Sequence, residues 1–515
     1  MKNALIRAFP SRELTLPAVL SGVLTAAAFP STSFGPVIFV ALVPLFTALL
    51  RERPTAHEAF RTGYVFGATC FLLMLWWIAR LIPSADVTIP GILTPALIIL
   101  VSYLALYPAA VAALTVLTAR DNAIAFVFGA PALWTILEML RASGELGFPW
   151  GQAGYALAMT PQLIQLASVG GVTLLTYLIV LVNALLALVF VGRGRFAGVI
   201  GAVAGMIVIG ALALQGKNAL GNTAMSPAPK MRVAVVQPDV DLALKWKRSF
   251  SDSTLHLIER LTREAVGGGA AFVVFPETCA PVYLRRNKKY HLALSSMAQS
   301  YGVPIYIGFL DYRRDGPHGD INIYNSSGVF RADGGLELYD KVHLLPFGEA
   351  LPLSSKLRWL KHIEFGQANF DPGPERAPLD AGPTRFTPLI CFESVFPGAC
   401  ARGVRLGAHL LVNITNDGWF GNTPGPHQHA EMSILRAVEF RRALLRSANT
   451  GVSMVVAPTG RVVSHLGLFR EGILFADVPL ESSLTFYARH GERPLRLILL
   501  GMVALAALAG RRRPA

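Results

Sequence analysis

Apolar residues run almost unbroken through eight stretches of this chain, each near the length that crosses a bilayer: 14–29, 36–50, 59–82, 89–118, 123–140, 163–191, 196–214 and, after a long interval, 495–509. The fourth carries Pro90, Pro95 and Pro108, which allow either one kinked helix or a re-entrant pair. Between 217 and 493 the pattern changes to short strand-like runs alternating with amphipathic ones. Strands are expected over 231–237, 271–275, 303–310, 321–330, 336–339, 386–391, 409–414, 453–457 and 462–465, and helices over 253–265, 292–301 and 429–446. That alternation is an α/β pattern on a central sheet, with parallel and antiparallel pairings left open. The chain thus divides into a multi-span α-helical membrane domain of seven spans (1–216), an α/β domain (217–493), and a last span with a basic tail (494–515).

Composition agrees with a membrane protein. The 515 residues are 53% hydrophobic and 15% charged, against roughly 25% charged in soluble domains. Lys and Arg in the short loops are one-sided: Lys2, Arg7, Arg12, Arg51, Arg53, Arg61, Arg120, Arg193, Arg195 and the tail Arg511, Arg512 and Arg513 share one side, with Arg80 and Arg141 on the other. Both termini are therefore expected in the cytoplasm and the 217–493 domain outside it. Lys2 and Arg7 ahead of a short apolar run, with Ala26 to Ala28 behind it, also fit a cleaved signal peptide, which leaves that domain outside all the same. The formal charge is +14, and the Lys/Arg excess within the soluble segment suits either anionic headgroups or solubility alone. No RNP, helix-turn-helix or zinc-finger pattern accompanies it, so nucleic acid is not expected as a partner. Cys70, Cys279, Cys391 and Cys400 are too few and too irregularly spaced for a disulfide framework or a CxxC metal site.

Three tracts of the soluble segment place a polar residue just past an apolar strand. They are Phe272-Val273-Val274-Phe275 followed by Pro276-Glu277-Thr278, the stretch from Tyr339-Asp340-Lys341 to Pro346-Phe347-Gly348-Glu349, and Pro388-Leu389-Ile390-Cys391-Phe392-Glu393. Singly each has a bland reading: a solvated turn, a surface lysine, a packed thiol. Together, in this order and beside Asn413-Ile414-Thr415-Asn416-Asp417-Gly418-Trp419-Phe420-Gly421, they resemble the Glu-Lys-Cys triad of the nitrilase superfamily. The chemistry suits these residue types. A thiol attacks an acyl carbon as thiolate, so it needs a base or a positive charge beside it. Glu277 fits the base, and Lys341 fits a cation that favours the thiolate and then the oxyanion. The backbone N–H of Phe392 would complete the oxyanion hole, and Glu349 would orient Lys341 or serve as a second base. Glu393 closes the third tract as a further supporting residue.

The soluble segment lies between spans, Gly147-Phe148-Pro149-Trp150-Gly151-Gln152-Ala153-Gly154-Tyr155 resembles a membrane-domain motif, and Gln237 with Lys245-Trp246 resembles the start of a catalytic domain. With Leu445-Arg446-Ser447-Ala448-Asn449-Thr450-Gly451, the resemblance to the apolipoprotein N-acyltransferase family runs nearly end to end. It implies an αββα nitrilase-like sandwich outside the bacterial inner membrane. It also implies attack of Cys391 on the sn-1 ester of a phospholipid, a thioester intermediate, and transfer of the acyl chain to the amine of a lipoprotein's diacylglyceryl-cysteine. No cofactor and no metal are implied, and a monomer is expected. Phe392 departs from the Tyr of the best-known members, so any role for that hydroxyl is lost here. Trp246 and Trp419 are candidates for the substrate pocket, with core packing the alternative. The stretch 351–370 mixes Leu353, Leu357, Trp359, Leu360 and Phe365 with Lys356, Arg358, Lys361 and His362, as an interfacial lid or an ordinary surface helix would. His343, His427 and His429 read as structural. The nearest rival is a membrane-tethered amidase in which water resolves the thioester; a catalytically idle binding or transport protein is disfavoured by the intact Glu277, Lys341 and Cys391, and with Glu138 the main ionisable residue inside the spans an ion pathway is poorly supported.

Overall fold

The computed structural model describes residues 10–29, 34–81, 91–119, 121–191, 195–224, 227–245, 247, 250–314, 321–352, 369–375 and 377–511. They form two compact units, one from residues within 1–80, 91–221 and 490–515, the other from 222–489 together with Leu81.

The first unit contains α1 (Arg12–Ala28), α2 (Val43–Glu52), α3 (Ala56–Leu75), α4 (Leu93–Ala119), α5 (Ala123–Arg141), α6 (Ala167–Phe190), α7 (Arg195–Ala224) and a closing helix, Arg493–Arg511. Seven of the eight expected runs give segments at least 18 residues long and apolar enough to cross a membrane. The first, α1, has 17 residues, roughly 26 Å at the helical rise. The proline-rich fourth run is one helix with Pro108 inside it, not a re-entrant pair. Its neighbour α3 meets it through Gly63 and Gly67: a Cβ on Gly63 would lie 2.4 Å from the Pro108 carbonyl oxygen, and one on Gly67 2.6 Å from Pro108 Cγ. Small residues four apart let the two backbones approach, as close packing between apolar helices requires. Two buried charged groups inside this unit, Glu138 and Arg141, are matched. Glu138 accepts from Trp134 Nε1 at 2.9 Å, Thr176 Oγ1 at 3.1 Å and Ala153 N at 3.3 Å, while Arg141 donates to the carbonyls of Phe148, at 3.0 Å, and Trp150. Both thereby fasten the 147–155 loop, which accounts for two charged side chains among apolar ones.

Among the described residues, the second unit holds thirteen strands: β1 (Lys230–Gln237), β2 (Phe272–Val274), β3 (Ala280–Tyr283), β4 (Ile305–Arg314), β5 (Ile321–Phe330), β6 (Leu336–Asp340), β7 (Leu379–Asp380), β8 (Arg385–Ile390), β9 (Leu410–Thr415), β10 (Ala443–Ala448), β11 (Ser453–Val456), β12 (Val462–Leu466) and β13 (Gly472–Pro479). One sheet runs β13-β1-β2-β4-β5-β6 with β3 beside β4, the other β12-β11-β10-β9-β8-β7. Side chains alternate across each strand, so Val233 and Val235 of β1 join Phe386, Ile414 and Leu445 in a core between the sheets. Ala234 and Val236 instead meet Leu255, Ile258 and Leu294 of α8 (Ser251–Gly267) and α9 (Lys288–Tyr301). On the second sheet's other face lie α10 (Pro397–Arg405) and α11 (Gly425–Phe440), giving four layers, helix-sheet-sheet-helix. The helix expected over 429–446 stops at Phe440, because Arg441 turns left-handed at φ 49°, and 443–448 is a strand parallel to β9. A fully buried run such as Ala443-Leu444-Leu445 has no polar face from which to read a period.

Asn183 of α6 marks how the helical unit depends on single polar staples. Its Oδ1 accepts from Leu42 N at 2.8 Å and its Nδ2 donates to Ile38 O at 2.9 Å, where the chain breaks before α2. Asn183→Leu should leave these buried groups unpaired and cost about 1–3 kcal/mol. A thermal unfolding midpoint in detergent equal to that of the parent would contradict this.

Candidate active site

Glu277 leaves the C-terminal end of β2, Lys341 follows β6 and Cys391 follows β8. Two of these exits are strained: Thr278 sits at φ 47° and Cys391 at φ 52°, a region that residues with a Cβ avoid. Strand β4 makes room for the first exit with Gly308, whose Cβ would fall 2.7 Å from Glu277 Cα. Cys391 opens a 3₁₀ turn, Cys391–Val395, and stays partly accessible while Glu277, Lys341 and Glu349 are buried.

The three buried groups form one network. Lys341 Nζ lies 2.9 Å and 2.7 Å from the two carboxylate oxygens of Glu349 and 3.9 Å from Glu277 Oε1. Asn325 Nδ2, from mid-β5, donates to Glu277 Oε1 at 2.7 Å and to Glu349 Oε1 at 3.0 Å. Asn416 N donates to Glu277 Oε2 at 2.8 Å. Glu393, wholly buried, binds both exits together: Oε1 accepts from Tyr339 Oη (2.8 Å), Val342 N (2.8 Å) and His343 N (3.0 Å), and Oε2 from Ile390 N (2.8 Å). Phe392 is buried edge-on against Phe396, with ring centroids 5.0 Å apart.

Beneath Cys391 lies a second network that residue spacing does not announce. Its carbonyl oxygen accepts from Asn413 Nδ2 at 3.3 Å and lies 3.3 Å from His429 Nε2. Arg446, fully buried, donates to Asn413 Oδ1 and, at 2.7 Å, to Asp417 Oδ2, while His429 Nδ1 is 3.0 Å from Asp417 Oδ1. Among the described residues, Cys391, Asp417 and His429 form the group whose ligand atoms, all within 4.8 Å of one another, approach a metal-binding arrangement. The positive charge facing Asp417 there is the Arg446 guanidinium. Trp419 is half-buried in the tract after β9, whereas Trp246 and the 353–368 part of the proposed lid lie outside the described residues.

Residues 21–185 match the family described as apolipoprotein N-acyltransferase N-terminal domain, and residues 232–485 match carbon-nitrogen hydrolase. The apolipoprotein N-acyltransferase of Geobacter metallireducens is 35% identical over 512 residues, spanning 98% of this chain and 97% of that one. The chain belongs to the apolipoprotein N-acyltransferase family. Its relative in Chlorobaculum tepidum is 32% identical over 99% of this chain and 100% of its own. Among solved structures, an amidase from Nesterenkonia sp. is 21% identical, with a TM-score of 0.39, over 53% of this chain and 97% of that one.

The charges around Cys391 oppose the positive field expected from Lys341. Burial, and then the Glu277 charge, push the Cys391 thiol up, outweighing Lys341. Burial also raises Glu277, against Lys341. On Lys341 burial works downward, but the charges of Glu349, Cys391 and Glu277 prevail and raise it. Two carboxylates thus surround one ammonium, leaving little positive field for a thiolate. Burial and then Arg446 lower His429, and Asp417, though burial opposes it, is held below the usual carboxylate range by Arg446 and His429. Burial and the surrounding charges therefore favour Cys391 as a thiol over a thiolate. Alkylation of Cys391 by iodoacetamide, mapped by peptide, should climb about tenfold per unit between about pH 6 and pH 9, following the thiolate fraction. A plateau inside that window would mean a preformed thiolate.

Proposed function

We propose that this chain moves an acyl chain from a membrane phospholipid, through a thioester on Cys391, to the N-terminal amine of the diacylglyceryl-cysteine of apolipoproteins. The observation that carries this reading is the buried Glu277–Lys341–Glu349 network beside a partly accessible thiol, in a chain aligned end to end with relatives named for that transfer. In the first half-reaction Glu277 takes the Cys391 proton as sulfur bonds to the ester carbonyl carbon. Lys341 and the Phe392 N–H face the oxyanion, and on collapse the C–O bond breaks and the lysophospholipid oxygen takes the proton from Glu277. In the second, the acceptor amine bonds to the same carbon and gives a proton to Glu277, the C–S bond breaks, and the leaving sulfur takes that proton, returning Cys391 as a thiol and Glu277 as a carboxylate. Asn325 and Glu349 keep Lys341 and Glu277 apart and oriented. Trp246 and Trp419 belong to the substrate pocket in this reading.

Purified protein in phospholipid vesicles should N-acylate a diacylglyceryl peptide. Cys391→Ala should abolish product, Glu277→Gln should slow acylation by about 10² to 10⁴ and Lys341→Met by about 10² to 10³, with double variants well short of additive. Product from Cys391→Ala would sink the mechanism, and discharge of the acyl group to water as fast as to the peptide would favour an amidase.

In the same reading the enzyme sits in the inner membrane with 217–493 as its periplasmic catalytic domain and both termini cytoplasmic, supported by the one-sided Lys and Arg of the short loops. Single cysteines placed at Arg286 and Arg53 should be labelled from opposite sides by an impermeant maleimide. Labelling of both from one side would overturn this orientation.

A further inference from the structure

Lys245 is a buried cation that the triad chemistry leaves without a role. It ends the short helix Leu242–Lys245, is 2% exposed, and its Nζ donates to Thr278 Oγ1 at 2.7 Å and to the Glu277 carbonyl oxygen at 3.3 Å. Both acceptors are neutral and both belong to the left-handed turn that presents Glu277. The segment that carries Lys245 is fixed from its other end: Val240 N donates to Asn449 Oδ1 at 3.1 Å and Asn449 Nδ2 donates back to Val240 O at 2.8 Å. Asn449 Nδ2 also reaches Asn416 Oδ1 at 3.3 Å, and Asn416 N holds the Glu277 carboxylate at 2.8 Å. Glu277 is therefore gripped by its backbone through Lys245 and by its carboxylate through Asn416, and both grips start from one packed body, 239–245 with Asn449.

We infer that Lys245 is a positioning residue for the general base: its ammonium clamps the strained turn after β2 so that the Glu277 carboxylate is held toward Cys391. The inference rests on Glu277 being the base. Burying an ammonium costs desolvation, and an apolar side chain of similar length would serve stability about as well, so its hold on this turn points to a task other than stability. Burial pushes Lys245 down to about 8, opposed by Cys279 and Glu277; Cys279 itself is a free, buried thiol. The charged groups facing Glu277 are Lys341 and Glu349 from the loop after β6, and Lys245. Removing one of its two cations should raise the Glu277 pKa.

The test measures Cys391 acylation by phospholipid vesicles across pH, with thermal midpoints, for the parent, Lys245→Met, Thr278→Val and Glu277→Gln. Lys245→Met should slow acylation at saturating lipid by about 10- to 100-fold, as expected for a misplaced catalytic group. Its half-saturation should stay within about twofold, the acid limb of its pH profile should move upward, and its midpoint should be unchanged or higher. Thr278→Val, which keeps the cation and loses the shorter of the two hydrogen bonds, should show a smaller rate loss in the same direction. Parent rates and an unmoved acid limb in both variants, or a lowered midpoint with no change of limb, would overturn the positioning role. Acylation by Glu277→Gln at the parent rate would instead remove Glu277 as the base, a separate failure.

Discussion

Two carboxylates share one ammonium in the buried centre of the second unit, and the site's behaviour follows from that ratio. Glu349 takes Lys341 through both oxygens, and Glu277 stands 3.9 Å off, bridged to Glu349 by a single amide, Asn325. In a medium of low dielectric such a cluster is strongly interacting. It keeps Lys341 charged, lifts Glu277, and denies Cys391 the net positive surroundings that would ionise it. In the proposed reaction, a base raised above its usual range next to a raised thiol is suited to proton transfer in the same step as attack. In that proposed reaction the cation meets charge that appears only in the transition state.

Holding this cluster in place takes three different exits from two sheets, and the fold supplies a tie for each. Glu393 joins the backbone after β6 to the end of β8. Arg446, reaching from β10, orders Asn413 and Asp417 under the Cys391 carbonyl. Gly308 of β4 leaves the space into which the Glu277 turn settles. The left-handed backbone at Thr278 and Cys391 persists because these contacts over-determine it.

Much of this is legible in the residues alone, and the remainder is not for definable reasons. Glu277, Lys341 and Cys391 stand out because each interrupts an apolar strand end with a polar group, and seven of the spans because unbroken apolar runs of that length have few other uses. Asn325 is hidden: a polar residue in mid-strand looks like the solvent face of an edge, and its burial depends on strand order, which periodicity does not encode. Arg446 lies in a tract the resemblance picks out, but its place on a strand is hidden in a stretch that reads as helix, since β10 is buried on both faces and shows no alternation. The short strands β3 and β7, and β13 at the far end of the domain, pair with partners distant in sequence or too briefly to leave a pattern. The upward shift of the thiol also escapes sequence reasoning, because a lysine in a motif looks like a positive field until burial and the Glu277 charge are seen to outweigh it.

The central claim is that Cys391 carries the acyl group, and intact-mass spectrometry of the purified protein after exposure to a phospholipid with one defined sn-1 chain tests it most directly. The account predicts one added acyl mass, localised to Cys391 by peptide mapping and removed when a diacylglyceryl peptide is supplied. Transfer to the peptide while the protein mass never changes, even under rapid quench, or an adduct on a different residue, would contradict it.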